Sequence, residues 1–110
     1  MTWSGHVELS GEVEQWMKTL PPAEQAAVDA RVELLADRGP LLGMPHCRPL
    51  VGKVWELRSG PWRIAYFFAP GVPPTAVLLT WWRKSTRTTP RRELIRAKRA
   101  MESWLAAHDR

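Results

Sequence analysis

The sequence predicts an α+β fold in the order β-α-α-β-β-β-α, and three observations carry that expectation. Within residues 53–68, two aromatic-rich runs flank Ser59-Gly60-Pro61 and alternate as strands joined by a short turn do. Between residues 10 and 39, apolar side chains recur at helical spacing in two segments divided by Pro21-Pro22. A basic segment from Arg91 onward repeats that spacing.

In chain order, His6-Val7-Glu8-Leu9 alternates and is expected to form a short first strand. Ser10 is a good N-cap, and Glu12 falls in the first turn, where the helix dipole favours a carboxylate. Val13, Trp16, Met17 and Leu20 then form one apolar stripe. The second helix starts at Pro21-Pro22, buries Val28, Val32 and Leu35 with Ala27 and Leu34 beside them, and stops at Gly39-Pro40. The two make a helical hairpin that covers one sheet face. Residues 40–52, with three prolines and two glycines, are expected to be an irregular connection.

The central hairpin is expected to have a four-residue loop, Ser59 to Trp62, so that Arg58 faces Arg63, Leu57 faces Ile64 and Trp55 faces Tyr66. One face then carries Trp55, Leu57, Ile64, Tyr66 and Phe68, and is a core face. The other carries Val54, Glu56, Arg58, Arg63, Ala65 and Phe67. A slip of one residue would mix apolar and charged groups on both faces, which makes the register well specified. After a turn at Ala69–Pro74, Thr75 to Trp82 is apolar on both sides, as a central strand is. Its parity stays open. If Val77, Leu79 and Trp81 face the helices, Leu78, Thr80, Trp82 and Lys84 share the open face with the arginines. Thr89-Pro90 is expected to cap the last helix, with Leu94, Ala97, Met101 and Leu105 as its buried stripe.

A chain of 110 residues is expected to be one domain, residues 1–110, with a core that needs no disulfide. Cys47 is the only cysteine, so no internal bridge is possible. No apolar run reaches membrane-spanning length and no signal pattern opens the chain, so the expected compartment is the cytoplasm. The net charge of +5 is unevenly spread. Residues 1–45 hold three Lys/Arg against seven Asp/Glu, while residues 83–110 hold nine against three. A basic C-terminal part suits a polyanionic partner, although a solvated basic helix has the same look.

Phosphate-binding glycine loops, metal-ligand clusters, serine nucleophile elbows and paired carboxylates are all missing from the sequence, so no metal or cofactor is expected. What stands out is the cation pair Arg58 and Arg63. Like charges directly opposed destabilise a strand pair, and a bound phosphate gripped by two guanidinium forks would justify the arrangement. Extension into solvent or pairing with Glu56 would serve equally well. Lys84 joins the pair, with Arg48, Lys53, Arg83 and Arg87 around it. Trp82 and Phe67 offer flat surfaces for unpaired bases, which together with cations is what single-stranded nucleic acid requires. Such a cluster could also cut RNA without metal, by stabilising the extra-negative transition state of 2′-hydroxyl attack. Lys84 is then a candidate general base. His46 is a further candidate acid or base, although a lone loop histidine is more often simply solvated. Cys47 has no partner at metal or catalytic spacing and reads as a packed thiol.

Leu50, Trp55-Glu56-Leu57-Arg58, the run Trp62 to Phe68, and Trp82-Arg83-Lys84 leading to Thr89-Pro90 resemble the RelE/HigB superfamily of toxin–antitoxin toxins, in particular its phage-derived HigB-like branch. The likeness runs over roughly residues 7–105. It implies two N-terminal helices on a mostly antiparallel sheet, and a metal-independent endoribonuclease that cleaves translated mRNA in the ribosomal A site. It also implies neutralisation by an antitoxin, commonly a helix-turn-helix protein. On this resemblance Arg58, Arg63 and Lys84 are catalytic, with Tyr66 held in reserve on the core face, and Arg48 stands where the family often has a basic residue. Ser85 and Thr88 replace lysines common in that family's loop, which leaves the general base open. Two other readings keep the fold: a gyrase poison of the related ParE branch, or an inactive relative that binds RNA or a protein.

Overall fold

The computed structural model describes Trp3 and residues 5–108. Strand β1 (His6–Leu9) leads into helices α1 (Gly11–Thr19) and α2 (Pro22–Arg38). Strands β2 (Cys47–Val51), β3 (Val54–Ser59), β4 (Trp62–Ala69) and β5 (Thr75–Arg83) follow, and helix α3 (Arg91–His108) closes the chain. The sheet has the order β1-β5-β4-β3-β2, with β1 parallel to β5 and every other pair antiparallel.

Helix α1 begins where the cap chemistry places it. Ser10 Oγ accepts from Val13 N at 3.1 Å and donates to Leu79 O at 2.8 Å, so one hydroxyl both caps the helix and ties it to β5. Val13, Trp16, Met17 and Leu20 face the sheet together with Val28 and Leu35 of α2. Ala27 is exposed, which narrows the expected stripe of α2. Helix α2 stops at Gly39, whose φ of 51° an L side chain rarely adopts.

The β3–β4 register is the one the sequence predicts: Arg58 pairs with Arg63, Leu57 with Ile64 and Trp55 with Tyr66. The loop is shorter than expected. Ser59 pairs with Trp62, leaving only Gly60-Pro61 in the turn, and Gly60 takes a φ of 56°. A positive φ at the first turn position fits the right-handed twist of the strands.

Two further expectations are corrected, the irregular connection and the open sheet face, and the parity left open for β5 is settled. The connection 40–52 contains a strand, β2, antiparallel to β3 with an irregularity between Pro49 and Val51. Pro49 lacks an amide donor, but β2 lies at the sheet edge, where that lack is tolerated. The parity of β5 is broken by a bulge: Ala65 pairs with Thr80 but Tyr66 with Leu78. Leu78 and Trp81 therefore pack against the helical hairpin, whereas Val77, Leu79 and Trp82 lie on the opposite face. That second face is mostly covered. Ala97 of α3 packs with Val54, Ala65 and Trp82, and Trp104 and Leu105 pack on Phe67, Val77 and Leu79. No helix of the described residues is long and apolar enough to cross a membrane.

Candidate nucleic-acid site

The part of the sheet that α3 leaves uncovered lies near the β3–β4 turn. There, Arg48 of β2, Arg58 of β3, Arg63 of β4, and Lys84 and Arg87 of the following loop line one narrow polar recess. Glu56 is the sole acid in its wall, so five cations surround one carboxylate. The sheet register explains the convergence: Arg48 is paired with Glu56, Arg58 with Arg63, and Arg63 with Trp82.

Glu56 is 1% exposed, and its side chain is the hub of the recess. Its Oε2 accepts from Arg48 Nε at 2.9 Å and from Arg58 Nε at 3.1 Å, while Arg63 Nε stands 3.9 Å away. Its Oε1 receives the Thr89 hydroxyl over a long 3.4 Å. The opposed guanidinium groups thus share one counter-ion. Thr89 spends its hydroxyl here, and Pro90 O, not the threonine, meets the first amides of α3.

Arg63 is 8% exposed and held by its own turn, since its Nη1 donates to Gly60 O at 2.7 Å and Trp62 O at 2.9 Å. Burial pushes its guanidinium below the usual arginine range; Glu56 opposes this, and Arg58 and Arg48 add to it. Arg58 keeps a quarter of its side chain in solvent (25%) and Arg48 rather more (37%). Lys84 is exposed at the rim, where its amide donates to Pro61 O at 2.7 Å and fixes the loop to the turn.

The remaining sequence candidates lie elsewhere or in another state. Lys53 is exposed in the β2–β3 turn, outside the recess wall. Arg83 points to the opposite sheet face, its guanidinium 5.3 Å from the Trp62 ring centroid. That ring packs edge-on against Trp16 and Trp81, which stack on each other at 4.9 Å. His46 bonds through Nδ1 to Arg31 of α2 and does not line the recess. Trp82 does line it but is only 6% exposed, and Phe67 is 1% exposed under Trp104. Neither ring is an open stacking platform, because α3 occupies the space in front of them. Tyr66 is sealed in the core, and burial, with the Cys47 thiol beside it, pushes its phenol far above the usual range. Cys47 itself is buried and donates to Leu42 O at 3.3 Å. Among the described residues, no three His, Cys, Asp or Glu side chains come together as a metal site requires.

Sequence offered Glu56 as a partner for Arg58 and Arg63, and that pairing is present, but it gave neither Glu56 nor Thr89 a place in the site. Glu56 did carry a signal: it is the only acid between residues 46 and 82, on the same strand face as Arg58.

A sheet with two helices on one side, one on the other and an arginine-walled recess beside the last helix defines the structural class. The same fold occurs in a chain of the RelBE2 toxin–antitoxin complex from Mycobacterium tuberculosis, with a TM-score of 0.56 and 22% identity. The superposition covers 76% of this chain and 100% of that one. In sequence, residues 15–102 match the phage-derived Gp49-like protein family, and the chain belongs to that family. No curated protein matches it.

Proposed function

We propose that this protein is the toxin of a toxin–antitoxin pair, of the RelE type and its phage-derived HigB-like branch, and that it inhibits translation by cutting ribosome-bound mRNA. One observation carries the reading: Arg48, Arg58 and Arg63 converge from three strands on a recess that Lys84 and Arg87 complete. Two supports come from outside the recess, the Gp49-like family and the RelBE2-like fold.

In this reading the scissile phosphate sits at the mouth of the recess and meets the terminal nitrogens of Arg48 and Arg58, whose Nε atoms are committed to Glu56. The 2′-oxygen attacks phosphorus and gives up its proton to a general base, a role this reading assigns to Lys84 in the recess wall. The guanidinium groups hold the added charge of the pentavalent state. The 5′-oxygen leaves with a proton from solvent, giving a 2′,3′-cyclic phosphate and a 5′-hydroxyl. Arg87 holds a flanking phosphate. The cognate antitoxin, by analogy a helix-turn-helix protein, restrains this activity.

A second reading, an inactive relative that still binds RNA, draws on Ser85 and Thr88, which supply hydroxyls where a second amine would help. Mapping mRNA 5′ ends after induced expression separates them. New ends confined to translated frames are the expected result. Ribosome binding without new ends supports the inactive relative, and DNA-damage signalling with intact mRNA supports a gyrase poison.

A further inference from the structure

We propose that Glu56 is a positioning residue for the phosphate-binding arginines, holding three guanidinium groups in one orientation without touching the substrate. The proposal rests on reading the recess as the phosphate site, and it assigns work to a buried acid that this reading leaves unused.

The geometry argues against the other roles of a carboxylate near RNA. Glu56 is 1% exposed, its Oε2 lies under Arg48 and Arg58 and its Oε1 faces Thr89. At 1% exposure neither oxygen is open to a ribose hydroxyl, so it is not the general base. A salt bridge serving stability alone would need one cation, yet Arg48, Arg58 and Arg63 reach it from three different strands.

The manner of contact gives the function. Arg48 and Arg58 both approach through Nε, and among the described residues their terminal nitrogens bond no other protein group. Arg63 commits Nη1 to Gly60 O and Trp62 O and turns Nε toward Glu56. Arg48 and Arg58 are thereby held at Nε with their terminal nitrogens left to the recess, while Arg63 is held at both ends of its guanidinium. Without the negative charge, Arg58 and Arg63 stand opposed with nothing between them and swing apart. Thr89 extends the same control to the basic loop, since the residue before Pro90 is tethered to the carboxylate.

Glu56→Gln tests this, because it keeps the shape and removes the charge. Cleavage of a model mRNA on ribosomes is expected to fall roughly 100-fold at every pH, the scale on which a small misplacement acts. Affinity for a matching oligonucleotide with a 2′-deoxy scissile position is expected to hold or tighten, since the protein gains a positive charge toward a polyanion. Wild-type cleavage would overturn the proposal, as would affinity lost in step with rate or the disappearance of one limb of the pH–rate profile. Should the glutamine variant fail to fold, Glu56→Asp keeps the charge but draws it back by one methylene, and an undiminished rate there would overturn it equally. If the wild-type protein cuts no RNA, the functional reading fails separately. The Nε–H resonances of Arg48 and Arg58 then decide: slowed exchange lost in Glu56→Gln sustains the positioning role, and unchanged exchange ends it.

Discussion

Arg58 and Arg63 lie directly across the β3–β4 ladder from each other, and both turn toward the Glu56 carboxylate. They differ in how they are held. Arg58 keeps solvent contact, while Arg63 is 8% exposed and closes the hairpin turn through Gly60 O and Trp62 O. Removing either should slow cleavage sharply, and the two removals should differ in what they cost the fold. Arg58→Ala is expected to cut the rate at least about 100-fold, as loss of a transition-state donor does, and to cost less stability than Arg63→Ala, because Arg58 is partly exposed and Arg48 still donates to Glu56. Arg63→Ala should lose the rate and also about 1–3 kcal/mol of stability, because the turn loses the charged donor shared by Gly60 O and Trp62 O. Parallel kinetics and denaturation measure both.

Affinity for single-stranded RNA should fall with salt, because the five cations of the recess displace counterions from phosphates. Each phosphate contact on a single strand contributes a slope of about −0.7 in log K against log salt. Arg87→Ala should reduce the magnitude of the slope by about that amount. Arg83→Ala should not, since Arg83 stands over Trp62 on the other face. Titrations at several salt concentrations decide the point.

Ser10 connects helix α1 to the bulged part of β5 by capping Val13 N and donating to Leu79 O. Ser10→Ala is expected to cost about 1–2 kcal/mol, more than a simple surface cap, because a strand carbonyl also loses its donor. Urea denaturation reads the change directly.

Burial raises the Tyr66 phenol above its ordinary value of 10.0 in the folded chain. The folded state then keeps a proton that the unfolded state gives up, so stability is full below about pH 10 and falls as pH rises further. Tyr66→Phe should flatten that alkaline decline. Comparing denaturation midpoints at pH 8 and pH 11 for both proteins tests the sign.

Much of the fold was legible because strong local rules agreed. The β3–β4 register follows from alternation around Gly60-Pro61, since a slip of one residue would mix arginines with the core side chains. Helix limits at Ser10, Pro22 and Gly39 follow from cap and breaker chemistry. Strand β2 was not legible, because Pro49 argues against a strand unless its edge position is known. The bulge at Leu79 was hidden for a related reason: a run apolar on both sides carries no parity to betray an extra residue.

The site divides in the same way. Arg58 and Arg63 could be placed together from the sequence, because strand pairing is a near-neighbour rule. His46, Lys53 and Arg83 could not be excluded from it, since each is basic and close in sequence, yet side-chain direction sends them elsewhere. By itself, the sequence determined the helices, the hairpin register and the arginine pair, all products of short-range periodicity and turn chemistry. Only the tertiary structure decided that α3 would shut off the rings of Trp82 and Phe67, and that Glu56 would gather arginines from three strands. Those outcomes depend on which distant surfaces meet, and no local pattern encodes that meeting.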